Sequence, residues 1–211
     1  MRLGFFEIQL RRSPLILLFT QLLGAICKLK EYSTVITMFK AMDSKGIRPD
    51  LITFSTIINC FYQMGKVDFG FAVVGNIFKS GFEPNIVIFN TLLKGLFKEN
   101  RVKHAIKLFN KMTENGYTCS DFTYGTMVDG LGKTGNVDQA IKLFDLTIEM
   151  GVEPITITYN ALMDGYCFQG RMAEATKMLH LMVVRGCEPN VISYSFLING
   201  YCKAKKLDEA M

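Results

Sequence analysis

The sequence predicts an all-α chain, a right-handed α-solenoid of helix–turn–helix hairpins with a 35-residue repeat, and three series of residues predict it. Prolines stand at Pro14, Pro49, Pro84, Pro154 and Pro189, separated by 35, 35, 70 and 35 residues, so that one slot, Cys119, lacks its proline. Gly46, Gly81, Gly116, Gly151 and Gly186 follow the same step without a gap. An aromatic keeps it too, at Phe19, Phe54, Phe89, Tyr124, Tyr159 and Tyr194. Three residue types in one register mark a repeat array, and an array decides the fold before any single element does.

The units run 16–50, 51–85, 86–120, 121–155 and 156–190, with a partial one at 191–211 and a short N-terminal segment at 1–15. Within 51–85, Phe54, Ile57, Ile58 and Phe61 step by three and four, the spacing of one helical face. Gly65 ends that helix. A second amphipathic stretch follows and stops at Gly81 and Pro84: glycine allows a left-handed turn, and proline cannot continue a helix. Thr53, Thr123, Thr158 and Ser193 are expected just ahead of the first helices, as hydroxyl caps for their unpaired N–H groups. One hairpin cannot bury its own apolar face, so neighbours must stack. Gly125, Gly130, Gly132 and Gly135 crowd the fourth unit; each glycine inside a helix costs on the order of 1 kcal/mol against alanine, so this unit is expected to be the least stable and a hinge.

Composition narrows the function. Of 211 residues, 49% are hydrophobic and 20% charged, which argues against disorder. The longest apolar run, from Pro14 to Phe19, is far below the ~20 residues of a bilayer span, so no membrane role is expected. A net charge of +5 leans toward a polyanionic partner. The six cysteines include no Cys-x-x-Cys pair. Cys27, Cys167 and Cys202 share the twelfth place of their units, where a helix-packing surface is expected; buried, reduced thiols fit better than a metal site, because equivalent positions lie on separate layers.

The string from Gly130 to Gly135, GLGKTG, matches G-x-G-x-x-G in letters only: no strand precedes it, and its glycines fall on repeat positions shared with Gly95, Gly165 and Gly200 and with Gly65 and Gly170. His104 and His180 have no acid two residues on, which excludes the H-x-E signature of zinc deaminases. No catalytic constellation and no cofactor motif remain, so an enzyme is not expected.

Strings such as ITYNALMDGYC at 157–167 and RGCEPN at 185–190 resemble the pentatricopeptide repeat family, of the plain 35-residue type. The opening FTQLLGAI at 19–26 is similar to the first repeat of its restorer-of-fertility-like branch. Tetratricopeptide repeats, the near alternative, step by 34 with an early tryptophan, and this chain has no tryptophan. The resemblance implies binding of single-stranded RNA in an organelle, the mitochondrion or alternatively the plastid, in RNA processing, stability or expression, with one base read per repeat.

In that family the fifth and last residues of a repeat contact one base. Carried over, the pairs are Thr20 with Asp50, Ser55 with Asn85, Asn90 with Ser120, Gly125 with Ile155, and Asn160 with Asn190, while Ser195 opens a sixth. Short hydroxyls and amides can meet a base edge, and Asp, accepting only, suits the donor edge of guanine. By the family's pairing rules the core reads 5′-GAC-N-Y, with the Gly125–Ile155 repeat an unselective spacer. The second residue, which wedges between bases, is Leu17, Ile52, Val87, Phe122, Ile157 or Ile192; ordinary packing between repeats is the other reading of that series. Lys28, Lys98, Lys133 and Lys203 share the thirteenth place, where the family brings a lysine to the phosphates; a solvated helix end would explain any one of them.

The aromatic series is expected in the core rather than as a stacking platform. The sequence stops at Met211 within the sixth unit's second helix, so an open apolar face and with it self-association are expected, or else a truncated product or fragment. A protein-interaction solenoid or a truncated remnant without RNA activity is the alternative function. The polar fifth and last residues beside a lysine series favour RNA, since a peptide groove gives no reason for them.

Overall fold

The computed structural model describes residues 14–203. Among these there are eleven helices and no strand. The first helices of the six repeats are α1 (Pro14–Lys28), α3 (Leu51–Gln63), α5 (Ile86–Lys98), α7 (Asp121–Lys133), α9 (Thr156–Phe168) and α11 (Val191–Lys203). The second helices are α2 (Tyr32–Ser44), α4 (Val67–Lys79), α6 (Val102–Glu114), α8 (Val137–Glu149) and α10 (Met172–Val184). The first helix begins at Pro14, two residues before the expected start of the array at 16. The second helix of the sixth repeat, on which the expected self-association surface rests, lies outside the described residues, as does most of the 1–15 segment.

Two compact units, residues 1–95 and 96–211, divide the chain. In each, a first helix packs on its own second helix and on the first helix of the next repeat, which is the solenoid arrangement. The turns are built as the glycines foretold. Gly65 sits at φ +64°, its N–H donating to the Tyr62 carbonyl while Lys66 N–H reaches back to Phe61, the bond pattern that closes a helix C-terminus through one left-handed residue. In the first and third repeats Lys30 (φ +64°) and Asn100 (φ +56°) hold that place instead.

Four of the six aromatics in the series, Phe54, Phe89, Tyr124 and Tyr159, are core, and Phe19 is half-buried. Phe54, Tyr124 and Tyr159 are buried, and each meets edge-on a phenylalanine from the second helix of the preceding repeat: Phe39–Phe54 at 6.0 Å, Phe109–Tyr124 at 5.6 Å and Phe144–Tyr159 at 5.3 Å between ring centroids. Tyr194, in the last described helix, is half exposed instead. A glycine at the tenth place admits the start of the preceding second helix: a methyl on Gly95 would lie 2.8 Å from Val67, and one on Gly165 3.1 Å from Val137.

The hydroxyls expected ahead of the first helices sit inside them. The helices start two residues earlier, and the cap is the last residue of the preceding repeat: Asp50 Oδ1 accepts from Thr53 N–H at 2.8 Å, Asn85 Oδ1 from Ile88 N–H at 3.1 Å, and Asn190 Oδ1 from Ser193 N–H at 3.1 Å. Thr53, Thr123, Thr158 and Ser193 occupy the third helical position and are buried. The cysteines also depart in part from expectation: Cys202 is exposed and Cys27 and Cys167 half-buried, while Cys60, at the tenth place of its repeat, lies 3.7 Å from Cys27. Burial first, and then the neighbouring Cys27, push the Cys60 thiol up to about 12, so it stays protonated and unreactive.

Candidate nucleic-acid interface

Positions two, five, nine and thirteen of a first helix are three or four residues apart and share one face. On that face the second residues stand out of the core. Leu17, Ile52 and Val87 in the first unit, and Phe122, Ile157 and Ile192 in the second, are 44–58% exposed. In the second to fifth repeats the third and fourth residues beside them carry the burial.

The fifth and last residues meet in two repeats, and in both a hydroxyl of the next repeat stands between them. In the first, Thr20 Oγ1 lies 3.0 Å from Thr53 Oγ1, and Thr53 donates to Asp50 Oδ1 at 2.8 Å. In the fifth, Ser193 Oγ donates to Asn160 Oδ1 at 2.6 Å and accepts from Asn190 N–H at 3.1 Å, while Asn160 Nδ2 lies 3.5 Å from Asn190 Oδ1. In the second repeat Ile88 fills the hydroxyl's place, and no hydrogen bond joins Ser55 to Asn85 among the described residues. Asn90 belongs to the first unit and Ser120 to the second; Asn90 is buried with Oδ1 unpaired, and Ser120 is an exposed cap position without a side-chain cap bond. Gly125 and Ile155 carry no polar side chain, and the Thr158 hydroxyl beside Gly125 is buried and unpaired. Ser195 is exposed and bonds back to the Val191 carbonyl at 2.6 Å.

All four lysines of the thirteenth place are exposed. Lys133 pairs with Asp129, four residues back, at 2.7 Å. Asp164 holds the same ninth place one repeat on; burial raises its carboxyl above the ordinary range, Lys133 and Lys203 draw it down, and Asp129 pushes it up. Sequence reasoning missed these ninth-place acids and gave the third-place hydroxyls the wrong task. Their 35-residue register was visible; the partners that Thr53 and Ser193 find one repeat away, Thr20 and Asn160, were not.

The models of the PPR repeat family match residues 14–63, 84–133 and 154–203, and single PPR repeats match 52–82 and 122–152. The chain belongs to the PPR repeat family. Among relatives, this PPR chain is 39% identical over 72 residues to pentatricopeptide repeat-containing protein At1g12300, mitochondrial, of Arabidopsis thaliana, a match covering 34% of this chain and 11% of that one. It is 50% identical over 54 residues to At1g62680, also mitochondrial, covering 26% and 10%. The matched stretches thus span about a tenth of these curated relatives.

Among solved structures, PPR10 in complex with an 18-nucleotide psaJ RNA element superposes with a TM-score of 0.86 at 24% identity, over 98% of this chain and 30% of that one. The PPR domain of Arabidopsis thaliana protein-only RNase P 1 in complex with tRNA superposes at 0.68 and 14% identity, over 90% of this chain and all of that one. These likenesses establish the fold, an α-solenoid of PPR hairpins.

Proposed function

We propose that this PPR chain binds single-stranded RNA sequence-selectively, one base per repeat, with a 5′-GAC-N-Y core, and acts by binding rather than catalysis on organellar transcripts. The observation that carries the reading is the row of exposed apolar second residues set in one 35-residue register beside the fifth-place side chains. Apolar side chains scattered singly on a surface need no explanation, but a register does. Every base offers a π-face to such a side chain, and lysines on the same face suit the phosphates between bases.

The last residue weighs less than sequence alone suggests: Asp50, Asn85 and Asn190 are helix caps, which is reason enough for their polarity. The fifth residue has no such duty. RNA in complexes of PPR10 and of the RNase P 1 PPR domain supports the binding class, the mitochondrial relatives support an organelle (the plastid being the alternative), the unbroken 35-residue step supports the plain repeat type, and the FTQLLGAI opening supports the restorer-of-fertility-like branch.

Fluorescence anisotropy with labelled GACUC RNA and its shuffled form, across a salt series, tests this. The expected result is tighter binding to GACUC that weakens with salt. Equal, feeble binding to both would leave the face to a protein partner.

A further inference from the structure

We propose that the third-place hydroxyls of Thr53 and Ser193 are positioning groups for the base-reading pair of the repeat before: each, buried, ties the fifth residue to the last and decides which hydrogen-bonding groups the pair offers a base. The proposal rests on the RNA-binding reading for its consequence, and on hydrogen-bond geometry for its substance.

The hydroxyl's single proton makes the argument. Thr53 Oγ1 lies 2.8 Å from a carboxylate oxygen of Asp50, which can only accept, so the Thr53 proton goes there. The contact between Thr53 and Thr20, at 3.0 Å, then has one possible donor, the Thr20 hydroxyl. With its proton committed inward, Thr20 can meet a base only through its lone pairs. An acceptor from Thr20 beside the carboxylate of Asp50 complements the N1–H and N2–H edge of guanine and rejects edges that present acceptors.

Ser193 arranges the fifth repeat with the opposite result. Its oxygen accepts from Asn190 N–H at 3.1 Å, and its proton goes to Asn160 Oδ1 at 2.6 Å in preference to Asn190 Oδ1 at 3.3 Å. The carbonyl of Asn160 is thereby engaged and its amide orientation set, so the group left to a base is the N–H side. Thr53 and Ser193 are 0% exposed and cannot themselves touch RNA, whereas Thr20 and Asn160, though buried, keep 9% and 7% of their surface, so the hydroxyl acts through the pair. Where the third residue is Ile88, the second repeat has no tie. Where the fifth residue is Gly125, the Thr158 hydroxyl is left unpaired.

The test uses the full chain and has two arms. Without RNA, NMR of the Asn160 side-chain NH2 group compares wild type, Ser193→Ala and Ser193→Thr. One ordered pair of signals in wild type and Ser193→Thr, averaged in Ser193→Ala, supports the tie; unchanged signals in Ser193→Ala overturn it, whatever the RNA does. The second arm measures binding to GACUC and to RNAs changed at one base.

Thr53→Val is expected to lower discrimination at the first base about tenfold and leave the fourth and fifth positions unchanged, with Thr53→Ser restoring it. A uniform loss at every position, or undiminished discrimination in Thr53→Val, overturns the proposal. If the amide is ordered by Ser193 but wild type discriminates at no base, the RNA reading fails and the specificity role falls with it, while the tie stands as packing.

Discussion

The fourth and fifth repeats present the same thirteen-residue first helix to their neighbours and use it differently. In α9 the fifth place carries Asn160, whose amide is held by Ser193. In α7 it carries Gly125, and a methyl built there would lie 2.9 Å from the Thr158 hydroxyl of the following repeat. One residue before its end, α7 places Gly132 so close to the next helix that a methyl would lie 3.2 Å from the Ala161 carbonyl oxygen. One repeat fills its fifth place with a hydrogen-bonding side chain; the other gives it to close approach of the Thr158 hydroxyl. The glycines that make α7 a poor helix on its own are thus each filled from outside, which opposes the slackness expected of the fourth repeat.

The tenth place offers the largest break in this comparison. A methyl on Gly130 would fall 2.1 Å from the Phe97 ring, whereas the one on Gly165 would sit 3.1 Å from the tip of Val137. Gly130→Ala is expected to destabilise by about 1–3 kcal/mol through overpacking. Gly165→Ala is expected near neutral, because alanine's helix propensity, worth ~1 kcal/mol over glycine, offsets a small adjustment of valine. Denaturant melts of the two variants check this, and equal losses would remove the distinction.

The third place sharpens it. Thr53→Val removes a hydroxyl bonded to a carboxylate and should cost ~1–2 kcal/mol. Thr158→Val removes a buried hydroxyl without a partner and should be neutral or stabilising. Thermal unfolding of both, without RNA, reads the difference; a loss in Thr158→Val as large as in Thr53→Val would show that the valine shape, not the bond, matters.

A smaller effect is expected at the lysines. Lys133→Ala should weaken RNA binding alike for matched and shuffled sequences and lower the salt slope by about 0.7, the value of one phosphate contact on a single strand. Loss of discrimination without a change of slope would place Lys133 outside the phosphate path.

Asp164→Asn gives the smallest shift. Burial raises the carboxyl of Asp164 in the folded chain above its unfolded value, so the native state holds the proton more tightly. Stability is then greatest below the ordinary carboxylate pKa and declines as pH rises through the raised value. The asparagine variant should melt slightly higher than wild type at pH 7, with the gap closing below about pH 4. Removing this acid from between Lys133 and Lys203 should also tighten RNA binding modestly. A gap that persists at low pH would trace the gain to packing rather than charge.

What the residues determine alone is whatever needs only the next few residues. The 35-residue step, two helices per repeat, the turns at Gly65 and Gly81 and the aromatic core positions are all local periodicity and local backbone conformation. They could be read from order. The same reading misplaced Thr53 and Ser193, because a hydroxyl near a helix start looks like a cap until the helix is seen to begin two residues earlier. Which glycine meets a ring and which a valine tip, which hydroxyl finds a carboxylate and which nothing, and that the second-place row faces solvent, were decided only by stacking. The glycine contacts and the ties of Thr20 to Thr53 and of Asn160 to Ser193 depend on side chains about 30 residues away, brought within 2–4 Å by the next hairpin. Distances on that scale set hydrogen bonds and overlaps, and sequence spacing does not record them.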